Sequence, residues 1–249
     1  MAIEKYFDNR LFLFGGHYGS GKSEIAVNFA IDIAQSHKTA IVDFDIINPY
    51  FRTASAKSVL TQMGVHVIAP IFANTNVEIP ALPAEISSIF DNKQIKAVFD
   101  VGGDSAGAKA VSRYHQEFIS ERAENFFVFN LRRPMTSSVE SILNSFYDIQ
   151  ETARLPFTSL INNTNLLSYT NESDLLEGLD AALELSERLS IPIAFSALMR
   201  NNPQNSSAYK FPIMKAEDLD CAEFSCLFDR SAALGLPIFY LSKFIKMDY

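Results

Sequence analysis

Residues 11–23 read Leu-Phe-Leu-Phe-Gly-Gly-His-Tyr-Gly-Ser-Gly-Lys-Ser, and no other stretch constrains the fold as strongly. Gly16, the four positions His17, Tyr18, Gly19 and Ser20, and then Gly21-Lys22-Ser23 match the phosphate-cradling spacing G-x-x-x-x-G-K-[ST]. The context agrees. Residues 11–14 are a short apolar run ending in glycine, as a buried strand should be, and Ile25, Phe29 and Ile33 then recur at helical spacing. Glycines let successive backbone N–H groups turn inward and form an anion nest. The free N–H groups and positive end of the following helix point at the same place. The candidate cofactor-binding set therefore runs without a gap from Gly16 to Glu24. Lys22 adds a positive charge for the β- and γ-phosphates, and Ser23 a hydroxyl for Mg²⁺. A glycine-rich turn that binds nothing is the alternative, and the intact Gly-Lys-Ser weighs against it.

Two further stretches fall where such a loop needs company. Residues 39–44 read as a buried second strand, ending in Asp43-Phe-Asp45 and followed by Ile46-Ile-Asn-Pro-Tyr-Phe-Arg-Thr53. Carboxylates at the carboxyl end of a strand lie where ligands bind in open α/β sheets. Pro49 biases Asn48 away from helix, so the loop is extended until a helix starts near Ala54. Next to the glycine loop, this segment reads as a nucleotide-sensing switch in preference to an ordinary acidic loop. Residues 95–101 form another strand, ending in Asp100 and continuing Gly102-Gly103-Asp104. Alone, a strand-end aspartate says little. Paired with the upstream loop, Asp100 becomes the Mg²⁺-side carboxylate, and the Gly103 N–H a donor to the γ-phosphate.

The rest of the chain supplies alternating elements. Strands are expected at 65–69, 125–131, 157–161, 191–198 and 237–241. Helices are expected at 22–36, 84–90, 104–120, 136–154, 173–190 and 222–234. The pattern is α/β: a doubly wound, mostly parallel sheet of seven or eight strands, flanked by helices. We read residues 1–249 as a single nucleotide-binding domain, with a C-terminal extension from about residue 199. Residues 70–83 carry three prolines and suit either a surface loop or a client site. Residues 199–220 form a long polar excursion. The strand at 157–161 runs into Asn162-Asn163-Thr164-Asn165, which fits base-edge recognition and ordinary turn chemistry equally well. Arg132-Arg133 is the only adjacent basic pair, explained as well by a solvated strand end as by a ligand.

Composition excludes several classes. The formal charge is −8, from 29 acids against 21 bases, which lacks the basic footprint of a nucleic-acid binder. No apolar run approaches a membrane span, and the N-terminus has no long apolar signal core, so a cytoplasmic location is expected. Cys221 and Cys226 imply no disulfide framework. One pair cannot close a tetrahedral metal site, and a site shared across a dimer axis is the minor alternative to buried thiols.

Taken together, the glycine loop, Asp43-Phe-Asp45-Ile-Ile-Asn-Pro-Tyr and Asp100-Val-Gly-Gly-Asp104 resemble the MinD/ParA/CobQ/CobB group of P-loop ATPases, which includes the nitrogenase iron-protein type. The likeness covers residues 11 to about 198, and is greatest to a bacterial branch with Val-Asp-x-Asp-Ile-x-Asn-Pro-Tyr-Phe-Arg after strand two. It implies a helix-flanked parallel sheet binding ATP and Mg²⁺, often as an ATP-bridged homodimer, with a protein or small-molecule client. Lys22, Asp45 and Asp100 would be the catalytic residues, and Ser23, Asp45 and Asp100 the metal-side oxygens. Asp45 would orient the attacking water and Asn162, in preference to Asn163, would touch adenine. One departure stands out. The group's signature lysine, which reaches across the dimer to the partner's nucleotide, corresponds to His17 here, followed by Tyr18 where glycine is common. His17 or Arg52 is then the candidate donor in its place. The expected function is a Mg²⁺-dependent ATPase acting as a nucleotide-dependent switch. The alternative is an ATP-dependent small-molecule kinase or synthetase of the CobB or dethiobiotin-synthetase type, with its metabolite near residues 70–83.

Overall fold

Apolar runs buried on both faces become central strands, and here every strand pairing is parallel. The computed structural model describes residues 6–44, 53–69, 85–103, 105–199 and 224–244. Its strands are β1 (Leu11–Gly15), β2 (Thr39–Phe44), β3 (Val65–Ile68), β4 (Lys96–Val101), β5 (Glu124–Phe129), β6 (Ser159–Asn162), β7 (Ile193–Met199) and β8 (Ile238–Leu241). They form one eight-stranded sheet in the order β3-β2-β4-β1-β5-β6-β7-β8. The helices are α1 (Lys22–Ala34), α2 (Thr53–Gln62), α3 (Glu85–Asp91), α4 (Ser105–Ser112), α5 (His115–Ser120), α6 (Val139–Ala153), α7 (Glu172–Leu189) and α8 (Ser225–Ala233). This is the doubly wound α/β sheet that the residue pattern implies, with helices on both faces.

The strand order reverses about β1, which lies between β4 and β5. Earlier crossovers build the sheet to one side and later ones to the other, leaving a crevice at the strands' carboxyl ends. Alternation along β1 sends Phe12 and Phe14 into the core under α1, and Leu11 and Leu13 into the core under α3 and α4. Phe29 of α1 meets Phe12 at 5.0 Å and Phe14 at 5.1 Å between ring centroids. Each such buried ring contributes about 1.5–3 kcal/mol through area removed from water. From Lys22 to Ile33, α1 is buried at every position except Glu24, as its two-sided apolar pattern implies.

Most element ends shift by one to three residues from the sequence-based expectation, and two of the differences have a clear physical cause. Residues 104–120 do not make one helix. The chain turns at Arg113–Tyr114, where Tyr114 N donates to Val111 O at 2.9 Å, and α5 starts afresh. The turn lets Tyr114 stack on Phe90 at 5.4 Å while Phe118 meets Phe99 edge-on at 5.0 Å. Phe118 N donates to Tyr114 O at 3.0 Å, so the two residues stay one helical turn apart, and both rings reach Phe90 at 5.4 Å. The helix expected from 136 starts at Val139, because Ser138 caps it through Ser141 N and Pro134–Thr136 form a separate tight turn.

The terminal strand packs as expected: β8 pairs with β7, and Phe244 rests against the core under α1. Cys226 is not a buried thiol but exposed at the start of α8. Among the described residues, no helix is long and apolar enough to cross a membrane. Expectations resting on Asp45, Asn48, Pro49, Arg52, residues 70–83, Asp104, residues 200–220 and Cys221 lie outside the described residues.

Candidate functional site

The glycine loop leaves β1 at the crevice and enters α1 directly. Ser20 N donates to His17 O at 3.1 Å and Ile25 N to Gly21 O at 3.2 Å, closing the loop onto the helix. Gly21 takes the N-cap position with φ 87°, a left-handed conformation that disfavours a side chain. A Cβ there would also lie 2.2 Å from Asn163 Nδ2. The loop thus delivers the chain straight into the amino end of α1, the place in a fold that receives an anion. His17 Nδ1 lies 3.1 Å from Tyr18 O, and the Tyr18 ring stands 60% exposed at the mouth. Glu24 faces another way: its carboxylate accepts from Phe244 N at 2.5 Å, tying the C-terminal segment to α1.

Lys22 is 1% exposed and Ser23 4%. The backbone of Gly103 lies directly against Lys22 and Tyr18. A Cβ on Gly103 would sit 2.8 Å from Lys22 Nζ and 2.6 Å from Tyr18 N. Only glycine allows β4's exit to approach the loop this closely, and the approach brings the segment after Asp100 to the lysine's charge. Asp100 pairs in register with Phe14 of β1 on one side and with Asp43 of β2 on the other. Ile41 and Val98, two residues upstream, belong to the core under α1, so Asp43 and Asp100 share that face. They are 2% and 1% exposed. Two acids buried side by side suit a cation between them and the phosphates. Asp43, Asp100 and the Ser23 hydroxyl all offer oxygen, the donor chemistry that fits Mg²⁺. Among the described residues, no three of His, Cys, Asp and Glu gather into a metal cluster. Mg²⁺ needs no such cluster, because it takes one or two carboxylates and completes its shell with phosphate and water.

The asparagine turn after β6 divides its labour. Asn162 faces away from the loop: its Nδ2 donates to Ser196 Oγ at 3.2 Å and its Oδ1 accepts from Thr164 N at 3.0 Å. Asn163 reaches the loop instead, donating to Ser20 O at 2.7 Å. Asn165 Nδ2 holds Asn163 Oδ1 at 3.1 Å, so the Asn163 amide is oriented from behind. At the end of β5, Asn130 Oδ1 accepts from Arg132 N at 2.9 Å and Asn130 Nδ2 donates to Asn165 O at 3.2 Å, joining the two turns. The resemblance sets Asn163 second to Asn162, and nothing in the residue pattern marks Asn130 or separates Arg133 from Arg132. Their only trace was polarity at two strand ends, which turns and sites share.

No family model matches the sequence, and neither does any curated relative. Solved structures do. Chloroplast FtsY from Physcomitrella patens superposes with a TM-score of 0.52 at 14% identity, over 78% of this chain and 64% of that one. Cell division protein FtsY from Thermotoga maritima gives 0.48 at 17% identity, over 79% of this chain and 67% of that one. The signal recognition particle receptor FtsY from Elizabethkingia anophelis gives 0.45 at 13%, over 76% of this chain and 59% of that one. The chain thus spans roughly three-fifths to two-thirds of the length of these structures. Its eight-stranded parallel sheet, with the glycine loop at the carboxyl end of β1, is the P-loop NTPase fold.

Proposed function

We propose that the chain binds a nucleoside triphosphate with Mg²⁺ and hydrolyses it as a nucleotide-dependent switch. The observation that carries the reading is the convergence of buried Lys22, the Gly103 backbone and the Asp43–Asp100 register at one sheet edge. The amides of residues 17–23 hold the phosphates, and the Lys22 ammonium lies over the β- and γ-phosphates. The Gly103 N–H meets the γ-phosphate, so its segment senses whether that group is present. Asp45 orients the attacking water. Ser23, Asp100 and Asp45 would hold Mg²⁺, with Asp43 behind Asp100 as their neighbour in register, and the ion would supply charge neutralisation on the phosphates. Most of the rate then comes from positioning and fixed charge.

The base reading is ATP. Guanine presents two adjacent donor groups that a carboxylate meets well, whereas adenine pairs a donor with an acceptor, as an amide does. The turn at 162–165 holds amides and a hydroxyl and no carboxylate; Asn162, the expected base contact, would have to release Ser196 and Thr164 to meet the base. The active state is an ATP-bridged homodimer acting on a client.

Calorimetric titration with Mg²⁺ and non-hydrolysable ATP and GTP analogues tests both levels. Lys22→Ala is expected to lose affinity by at least about a hundredfold, as removal of a buried charge–phosphate contact should. Unchanged affinity would remove the site assignment. Tighter binding of the GTP analogue would overturn the base reading and leave the phosphate site standing.

A further inference from the structure

Arg132 and Arg133 leave β5 together, and their guanidinium groups part. Arg132 Nε donates to Asp174 Oδ1 at 2.7 Å, and its Nη2 meets Glu177 Oε2 at 2.5 Å. Its charge is neutralised within the chain, joining the β5 turn to α7. Arg133 has no such carboxylate among the described residues. Its backbone is nevertheless firmly held. Arg133 N donates to Asn130 O at 3.2 Å, Thr136 N donates to Arg133 O at 3.0 Å, and Thr136 Oγ1 donates to Asn130 O at 2.7 Å. Pro134 restricts the residue before it to extended backbone, and Arg133 has φ −108° and ψ 139°.

From that anchor the side chain crosses to the glycine loop. A methyl built on Gly19 would lie 3.9 Å from Arg133 Cδ and 4.0 Å from Arg133 Nε. The Nε is buried, and among the described residues it has no hydrogen-bond partner. A buried guanidinium N–H without an acceptor is costly. Here it lies against the loop whose amides and lysine converge on an anion. Arginine's planar fork matches phosphate oxygens in a way that lysine's point charge does not.

We propose that Arg133 donates to the phosphate chain of the nucleotide in the glycine loop, as a phosphate-binding residue supplied by the same chain. The assignment rests on the nucleotide-site reading above. It gives the Arg-Arg-Pro turn two separate tasks: Arg132 fastens the turn to α7, and Arg133 reaches from the fastened turn to the ligand.

The test is titration of wild type, Arg133→Ala, Arg133→Lys and Lys22→Ala with Mg²⁺ and a non-hydrolysable ATP analogue, beside thermal melting without nucleotide. Arg133→Ala is expected to melt as wild type and to bind the analogue about tenfold more weakly, with Arg133→Lys recovering part of the loss. A folded Arg133→Ala within about threefold of wild type, while Lys22→Ala has lost binding, overturns the proposal and spares the site. So does a variant that melts early yet binds normally, because that would make Arg133 purely structural. If Arg133→Ala does not fold, Arg133→Lys decides: affinity equal to wild type overturns the contact, and affinity lowered by more than about threefold supports it. If Lys22→Ala binds as wild type does, the nucleotide site falls, and the Arg133 contact with it.

Discussion

At the scale of single residues, Asn163 does the most with the least sequence signal. Its amide holds the Ser20 carbonyl at 2.7 Å, and Asn165 holds the amide in turn. Asn163→Ala would leave that carbonyl without its donor in a buried place, at a cost of about 1–3 kcal/mol. Part of this falls on the loop itself. Affinity for a Mg²⁺-bound triphosphate analogue is therefore expected to drop about tenfold, with a lower melting temperature. Normal affinity alongside a lower melting temperature would show that the loop keeps its shape without the buttress. Gly103 is the opposite case, with a legible glycine whose reason is invisible in one dimension. The sequence shows a glycine three residues after Asp100. The structure shows that a methyl there would strike Lys22 Nζ and Tyr18 N.

At the scale of elements, α1 is where the nucleotide site and the end of the chain meet. Its first turn carries Lys22 and Ser23, and its next turn carries Asn28, which is fully buried. Asn28 Oδ1 accepts from Ser242 N at 2.8 Å and Asn28 Nδ2 donates to Ser242 O at 2.9 Å. The exit from β8 is thereby paired to α1 as a further strand would be. Asn28→Ala would orphan both backbone groups, an expected loss of about 2–4 kcal/mol if water does not replace them. Chemical denaturation measures it. Hydrogen exchange should show faster opening at β8 than at β1, since β8 is an edge strand and β1 is central. A stability change below about 0.5 kcal/mol would mean that water replaces the side chain without loss. The split between α4 and α5 belongs to this scale too. A tight turn, closed by Tyr114 N on Val111 O, ends α4, and α5 starts afresh with Tyr114 and Phe118 both packed on Phe90.

At the scale of the whole molecule, the open question is assembly. A nucleotide-bridged homodimer predicts that molar mass in solution doubles with Mg²⁺ and a non-hydrolysable ATP analogue, stays monomeric with ADP, and ignores both in Lys22→Ala. Light scattering reads all three. A mass indifferent to nucleotide removes the bridged dimer, and makes phosphoryl transfer to a small acceptor the reading to pursue. His17 and Tyr18 would lie nearest such a partner: Tyr18 is largely exposed at the mouth, and His17 Nδ1 is turned back toward the Tyr18 carbonyl.

Local chemistry made part of this protein readable from residues alone. A glycine loop needs a strand before it and a helix after it, so β1 and α1 were legible, and apolar runs every thirty or so residues implied the parallel sheet around them. Asp100 and Gly103 were legible for the same reason, because a short span of backbone carries both. What the residues could not express is which strand ends become neighbours. The Asp43–Asp100 register arises because β2 pairs with β4 and not with β1. The choice of Asn163 over Asn162 at the loop follows from alternation: Ile161 faces α1, so Asn162 must face the other side. Arg132 and Arg133 are adjacent in sequence and look alike there. Only the carboxylates of α7, brought to one of them by the fold, tell the two apart.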